Sequence, residues 1–196
     1  MISLFHLFSF TILLFNSYAF NANPVEKVVP VETIHSTDET PDYLPWSYGR
    51  PLTWEDFLCE PKRNTDAVAL TSTALGIAYN VSGGQLHYEI TCNFSKVKSW
   101  GILKTPYILA HEQGHFDITE IYARILHREL LAYKFNRRTF RQEVNEIYDR
   151  VVKEKETLQL LYDGQTDHSR NKKVQQEWLD KIQGLLTETE PYADYP

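Results

Sequence analysis

The hydrophobic pattern of this chain changes period at Trp100, and that change constrains the fold more than any other feature of the sequence. In residues 85–94, QLHYEITCNF, the side chains Leu86, Tyr88, Ile90, Cys92 and Phe94 alternate with Gln85, His87, Glu89, Thr91 and Asn93. This is the period-two pattern of a strand with one buried face. A second β-prone run, residues 67–80, precedes it across Ser82-Gly83-Gly84, the composition of a hairpin turn. Beyond Trp100 the apolar residues recur at helical spacing. Thr105-Pro106 supplies an N-cap and first-turn residue for a helix over about 106–133. Thr139 with Gln142 forms a capping-box pair for a second helix that carries Phe140, Val144, Ile147, Val151, Leu158 and Leu161 and stops at Gly164. A third helix, about 171–186, shows Val174, Trp178, Ile182 and Leu185 on one stripe. Strands followed by helices predict an α+β domain. Its small antiparallel sheet, from about residue 67 to 100, packs on a long helix, with two further helices after it.

The long helix carries the chemistry. His111-Glu112-Gln113-Gly114-His115 matches the zincin motif, in which two histidines one turn apart offer zinc two nitrogens at about 2.0–2.1 Å and the glutamate acts as base toward water. With His111 at zero on a helical wheel, His115 falls at about 40° and Glu112 at about 100°, beside the metal rather than behind it. Uncharged residues flank the pentad, and Ile118, Tyr122, Ile125 and Leu126 continue its face, so the pair points inward. Two imidazoles and a carboxylate on one buried stretch are costly without a common partner.

A third ligand must come from a segment that returns to this face. Asp117 and Glu120 lie about 120° and 180° round the helix from His111, which makes them solvated or supporting residues, and Glu129 is about 21 Å past His115. Residues 162–169, YDGQTDHS, form a polar, glycine-broken turn after the second helix. His168 is the favoured ligand there, with Asp163, Asp167, Glu143 and Glu146 as alternatives. Tyr162 is a candidate oxyanion donor. His6, His35, His87 and His127 have no matching context and read as signal, linker, strand and helix-surface residues.

Composition sets the surroundings. Lys plus Arg number 20 against 26 Asp plus Glu, a formal charge of −6 with no block of like charges, which argues against nucleic acid as a partner. Residues 1–19 contain no Lys, Arg, Asp or Glu and end in small residues at Ser17 and Ala19. They read as a secretory signal too short for a typical membrane span, so the membrane enters only if this segment stays uncleaved. Residues 20–50 read as an extended, partly mobile leader, 51–187 as the folded domain and 188–196 as a flexible tail. The two cysteines, Cys59 and Cys92, would meet an oxidising compartment, and a disulfide between them is the simple expectation. Two buried thiols are the alternative.

The blocks LTWEDF (Leu52 to Phe57), ALTST (Ala69 to Thr73), Ser99-Trp100, HEQGHFDITEIYAR (His111 to Arg124) and YDGQTDH (Tyr162 to His168) together resemble a bacterial family of predicted secreted zinc-dependent proteases, domain of unknown function 922. The resemblance covers roughly residues 50–183. It implies a zinc site and peptidase activity, with His111 and His115 at the metal positions, Glu112 at the catalytic one and His168 at the histidine of the YD..T.H block. The expectation is therefore a zincin-like metallopeptidase, secreted or periplasmic in the bacterial cell envelope, with a peptide or protein substrate and zinc as cofactor. A strand edge at 93–100 could hold an extended peptide. The rival expectations are a non-catalytic zinc-containing envelope binding module and an amidase acting on peptidoglycan cross-links.

Overall fold

Gly83 and Gly84 adopt positive φ, 59° and 79°, as both central residues of a type I′ hairpin turn must, and Ser82 pairs with Gln85 across them. The turn sets the register of the sheet. The computed structural model describes residues 42–61 and 65–196; the signal segment 1–19 and the leader as far as residue 41 lie outside the described residues. In chain order the elements are β1 (Tyr43–Pro45), a 3₁₀ turn (Trp54–Asp56), β2 (Ala69–Leu70), β3 (Thr73–Ser82), β4 (Gln85–Ser95), β5 (Trp100–Gly101), α1 (Pro106–Ala132), α2 (Phe140–Thr166), α3 (Lys172–Glu188) and a second 3₁₀ turn (Glu190–Tyr192). The architecture is α+β: an antiparallel sheet of order β1-β4-β3, a separate antiparallel ribbon β2-β5, and three helices. Among the described residues no helix is long and apolar enough to cross a membrane.

The alternation in β4 works as its sequence predicts. Ile90, Cys92 and Phe94 are buried, while His87, Glu89 and Thr91 are exposed. Phe57, Phe94 and Phe116 form a chain of rings with centroids 5.0 and 5.8 Å apart, which ties the loop after Trp54 to the sheet and the sheet to α1. Burial of each such side chain contributes about 1.5–3 kcal/mol. A second apolar cluster joins the three helices through Ile118, Ile121, Tyr162, Trp178, Ile182 and Leu186.

Several local expectations change in the folded chain. The run 67–80 divides: β2 pairs with β5, and only from Thr73 does the chain enter the hairpin. The edge of β4 at Asn93 to Ser95 is occupied by β1, so it is closed to a peptide, and the end of the expected leader is a strand. Thr105 caps α1 as expected, accepting from the Ile108 N–H at 3.2 Å. Thr139 makes no side-chain cap bond to α2, and Gln142 turns to Glu146 instead. The helix runs through Gly164, which costs only about 1 kcal/mol relative to Ala, and ends where Asp167 becomes left-handed and His168 N–H returns to the Asp163 carbonyl at 2.9 Å. Asn171 caps α3, accepting from the Val174 N–H at 3.3 Å.

The tail is packed rather than loose. Tyr195 donates to Glu120 at 2.7 Å, His127 meets the Tyr192 carbonyl at 3.1 Å, and Ile90 N–H donates to Pro196 O at 2.7 Å. This docking buries His127 and Glu120, both expected nearer the solvent. The expected Cys59–Cys92 disulfide is absent: both thiols are free, Cys92 inside the core and Cys59 partly exposed. Phe57 against Phe94 makes the link that the disulfide was expected to make.

Candidate metal and active site

A cleft of about 1290 Å³ runs between the backbone segment 65–73 on one side and α1, α2 and the α2–α3 turn on the other. His111, Glu112 and His115 face it from α1, and Gln159 and Asp163 face it from α2. The helices approach closely at the pentad because position 114 is glycine; a Cβ there would lie 2.6 Å from the Tyr162 hydroxyl oxygen.

Both imidazoles converge on one carboxylate oxygen. His111 Nε2 stands 3.2 Å, and His115 Nε2 3.1 Å, from Asp163 Oδ1. Among the described residues, His111, His115 and Asp163 are the compact donor group, with all three donor atoms within 4.8 Å of one another. Two nitrogens and a carboxylate oxygen are the donor types of a catalytic zinc site, and tetrahedral ligands about 2.0–2.1 Å from zinc stand about 3.3 Å apart. The two nitrogen-to-oxygen separations, 3.2 and 3.1 Å, match that spacing.

Hydrogen bonding to the far side of His115 tests the fit independently. One end of the Gln159 amide reaches the His115 backbone carbonyl at 2.8 Å and Thr119 Oγ1 at 3.4 Å. A carbonyl only accepts, so this end must be the NH₂ and the other end the C=O. That C=O contacts His115 Nδ1, which must therefore carry its proton. In a neutral ring the Nε2 lone pair then points at a carboxylate oxygen 3.1 Å away. Two acceptors at that distance need a cation between them, either a proton or a metal ion. Burial opposes a charge on His115, but the hydrogen bond and charge of Asp163 raise the imidazole above its ordinary value. Asp163 answers in the other direction, since burial would raise it and the two imidazoles hold it well below the usual carboxylate range.

Glu112 lies deep in the same cleft, 4% exposed. Burial raises its carboxyl, while His115, the Thr71 hydroxyl and His111 oppose the rise. The Thr71 hydroxyl, on the opposite wall, is buried and has no hydrogen-bond partner among the described residues.

His168 departs from the sequence expectation. Asp167, His168 and Ser169 are three successive left-handed residues, with φ of 49°, 49° and 70°. The turn carries the His168 imidazole to the rim, 66% exposed, with Nδ1 at 3.6 Å from Asp163 Oδ1. Asp163 takes the inner position because the helix continues past Gly164 and keeps Asp163 on its buried stripe. Asp167 lies 3.4 Å from Arg170, Glu143 accepts from Tyr133 and Glu146 from Gln142, so none of these three joins the donor group.

Tyr162 is not available as an oxyanion donor. It is fully buried, stacks on His111 with centroids 4.6 Å apart, and its hydroxyl donates to the His111 carbonyl at 3.3 Å. Burial first, then the charges of Glu112 and Asp163, push its phenol far above the ordinary range. Tyr162 is a packing residue that fixes the pitch of the pentad against α2. Asp117 accepts from Trp46 at 2.8 Å and Gln113 at 2.7 Å, on the other side of α1. The residue missed in the sequence is Gln159. Its signal was present, because Gln159, Tyr162, Asp163 and Thr166 recur at the spacing of one helical face.

The fold and site define a small α+β domain whose longest helices carry a His-His-Asp donor group beside a buried glutamate. The family described as "Bacterial protein of unknown function (DUF922)" matches residues 62–169, more than half of the chain, and the chain belongs to that family. The match spans the strand wall, the hairpin, α1, α2 and the strained turn. No curated protein and no solved structure matches the chain.

Proposed function

We propose that the protein is a zincin-like, zinc-dependent peptidase, exported to the periplasm or beyond, that hydrolyses peptide bonds in extended polypeptide substrates. The observation that carries this reading is the convergence of His111 Nε2 and His115 Nε2 on Asp163 Oδ1, at 3.2 and 3.1 Å, with Glu112 in the same open cleft.

His111, His115 and Asp163 would hold the ion, and Asp163 takes the third position that sequence gave to His168. Bound zinc would supply Lewis acidity toward a carbonyl and toward water. Glu112 accepts a proton from water at its carboxylate and passes it to the leaving nitrogen. Its burial suits both steps, because a carboxyl pushed upward holds the proton that it receives. The strand wall binds the substrate main chain. β2 has β5 on one edge and, among the described residues, no strand on the other, and each residue from 65 to 73 borders the cleft, a setting in which an extended peptide adds as a strand. The acidic net charge leaves nucleic acid outside the set of partners.

The test is zinc content measured with hydrolysis of a quenched fluorogenic peptide library. The wild type should carry about one zinc per chain and cleave. Glu112→Gln should keep the zinc and lose cleavage, because an amide takes no proton from water. A chain without zinc, or a Glu112→Gln variant with full activity, would overturn the reading.

A further inference from the structure

We propose that Gln159 is a positioning residue: its side-chain amide keeps the proton on His115 Nδ1, so that Nε2 is the nitrogen left to bind at the centre of the donor group. The inference deepens the metal reading above and rests on it for its affinity readout, though not for its structural one.

The amide is held at both ends. Its NH₂ donates to the His115 backbone carbonyl at 2.8 Å and lies 3.4 Å from Thr119 Oγ1. Thr119 is fully buried, donates to the same carbonyl at 3.1 Å, and sits 2.7 Å from Thr73 Oγ1. A flipped amide would set its oxygen against the carbonyl oxygen of His115, so the orientation is determined by hydrogen bonds and not by shape. The same residue thus receives two bonds from one amide: its carbonyl accepts from the NH₂, and its Nδ1–H donates to the C=O.

His111 shows what the fold does without such a partner. Its Nδ1 is buried with no hydrogen-bond partner, and its ring is held by stacking on Tyr162. Stacking fixes the plane of a ring but not which nitrogen carries the proton. His111 is held only from the front, by Nε2 against Asp163 Oδ1 at 3.2 Å, whereas His115 is also held from behind at Nδ1, by Gln159. Partners behind metal-ligating histidines typically change metal affinity by about 10–100-fold.

The experiment uses the full chain with Gln159→Leu, which keeps the size and removes both functions of the amide, and Gln159→Glu, which restores an acceptor for Nδ1–H. Long-range ¹⁵N–¹H correlation spectra of the imidazoles report the tautomer with and without zinc, and chelator competition reports zinc affinity. The wild type should show a protected His115 Nδ1–H in both states. Gln159→Leu should lose that protection and bind zinc about 10–100-fold more weakly, while Gln159→Glu regains the protected proton. A thermal melt for each variant separates this result from unfolding. Gln159→Leu with a protected Nδ1–H and wild-type affinity would overturn the proposal. If no variant binds zinc but the Nδ1–H signal behaves as stated, the metal reading fails and the role of Gln159 stands.

Discussion

Gly114 and Tyr162 meet at the closest approach of α1 and α2, where a Cβ on position 114 would lie 2.6 Å from the Tyr162 hydroxyl oxygen and 3.0 Å from Cζ. The glycine inside the histidine pentad therefore serves helix packing, and through packing it sets the distance from both histidines to Asp163. Gly114→Ala should destabilise the fold by about 1–3 kcal/mol, the usual cost of overpacking a buried contact. Removing the hydroxyl in the double variant Gly114→Ala/Tyr162→Phe should recover part of the loss. Urea denaturation of the two single variants and the double variant gives the coupling; strict additivity would show that the contact is not the cause.

Asp163→Ala should weaken zinc binding far more than His168→Ala, since Asp163 Oδ1 lies between the two imidazoles and His168 sits exposed on the rim. Two helix-borne histidines alone should not compete with a chelator. Chelator competition on both variants ranks them, and a larger loss in His168→Ala would restore His168 as the third ligand.

Cys59 and Cys92 should both titrate as free thiols in unfolded, unreduced protein. In the native state Cys59, partly exposed, should react alone. Cys92 is buried, and burial first and then the nearby Glu120 push its thiol well above the ordinary value, which suppresses the reactive thiolate. A maleimide mass-shift assay under native and denaturing conditions reads the counts directly.

Asp56 predicts an acid limb of stability. Burial on its own would raise this carboxyl, but the Arg50 guanidinium at 2.6 and 2.7 Å and the Thr53 N–H at 2.8 Å hold it below its ordinary value of 3.8. A depressed native value stabilises the fold above the unfolded value, and that stability is lost as pH falls through the lowered one. Stability should therefore decline below about pH 4. In Arg50→Met the carboxyl loses the partner that lowers it, so the native and unfolded values converge and the acid decline should become shallower. The loss at neutral pH should be about 1 kcal/mol, since Arg50 is nearly half exposed and screened by water. Chemical denaturation between pH 3 and 7 measures both quantities.

Much of the fold was legible in local pattern. The alternation from Leu86 to Phe94, the glycines at 83 and 84, Thr105-Pro106 and the helical stripes of the last ninety residues each depend on neighbours within a turn or a hairpin, and such signals are read without knowledge of what lies across the core. The pentad was legible for the same reason, since spacing alone puts His111 and His115 on one face. Where a local rule competed with a tertiary contact, the contact prevailed. Gly164 weakens the helix by about 1 kcal/mol, and packing of Tyr162 and Asp163 against α1 carries α2 on to Thr166.

By itself, then, the sequence determined that strands precede helices, where the hairpin turns, and that two histidines and a glutamate face inward from one helix. Only the tertiary structure decided that Asp163 rather than His168 stands between those histidines, that Gln159 holds His115 from behind, that Cys59 and Cys92 stay apart, and that Tyr195 docks on Glu120. Each of these joins residues more than thirty positions apart, where no repeat in the chain encodes the distance. The choice among chemically similar partners is made by how closely helices and strands can pack, and a glycine opposite a tyrosine sets that approach.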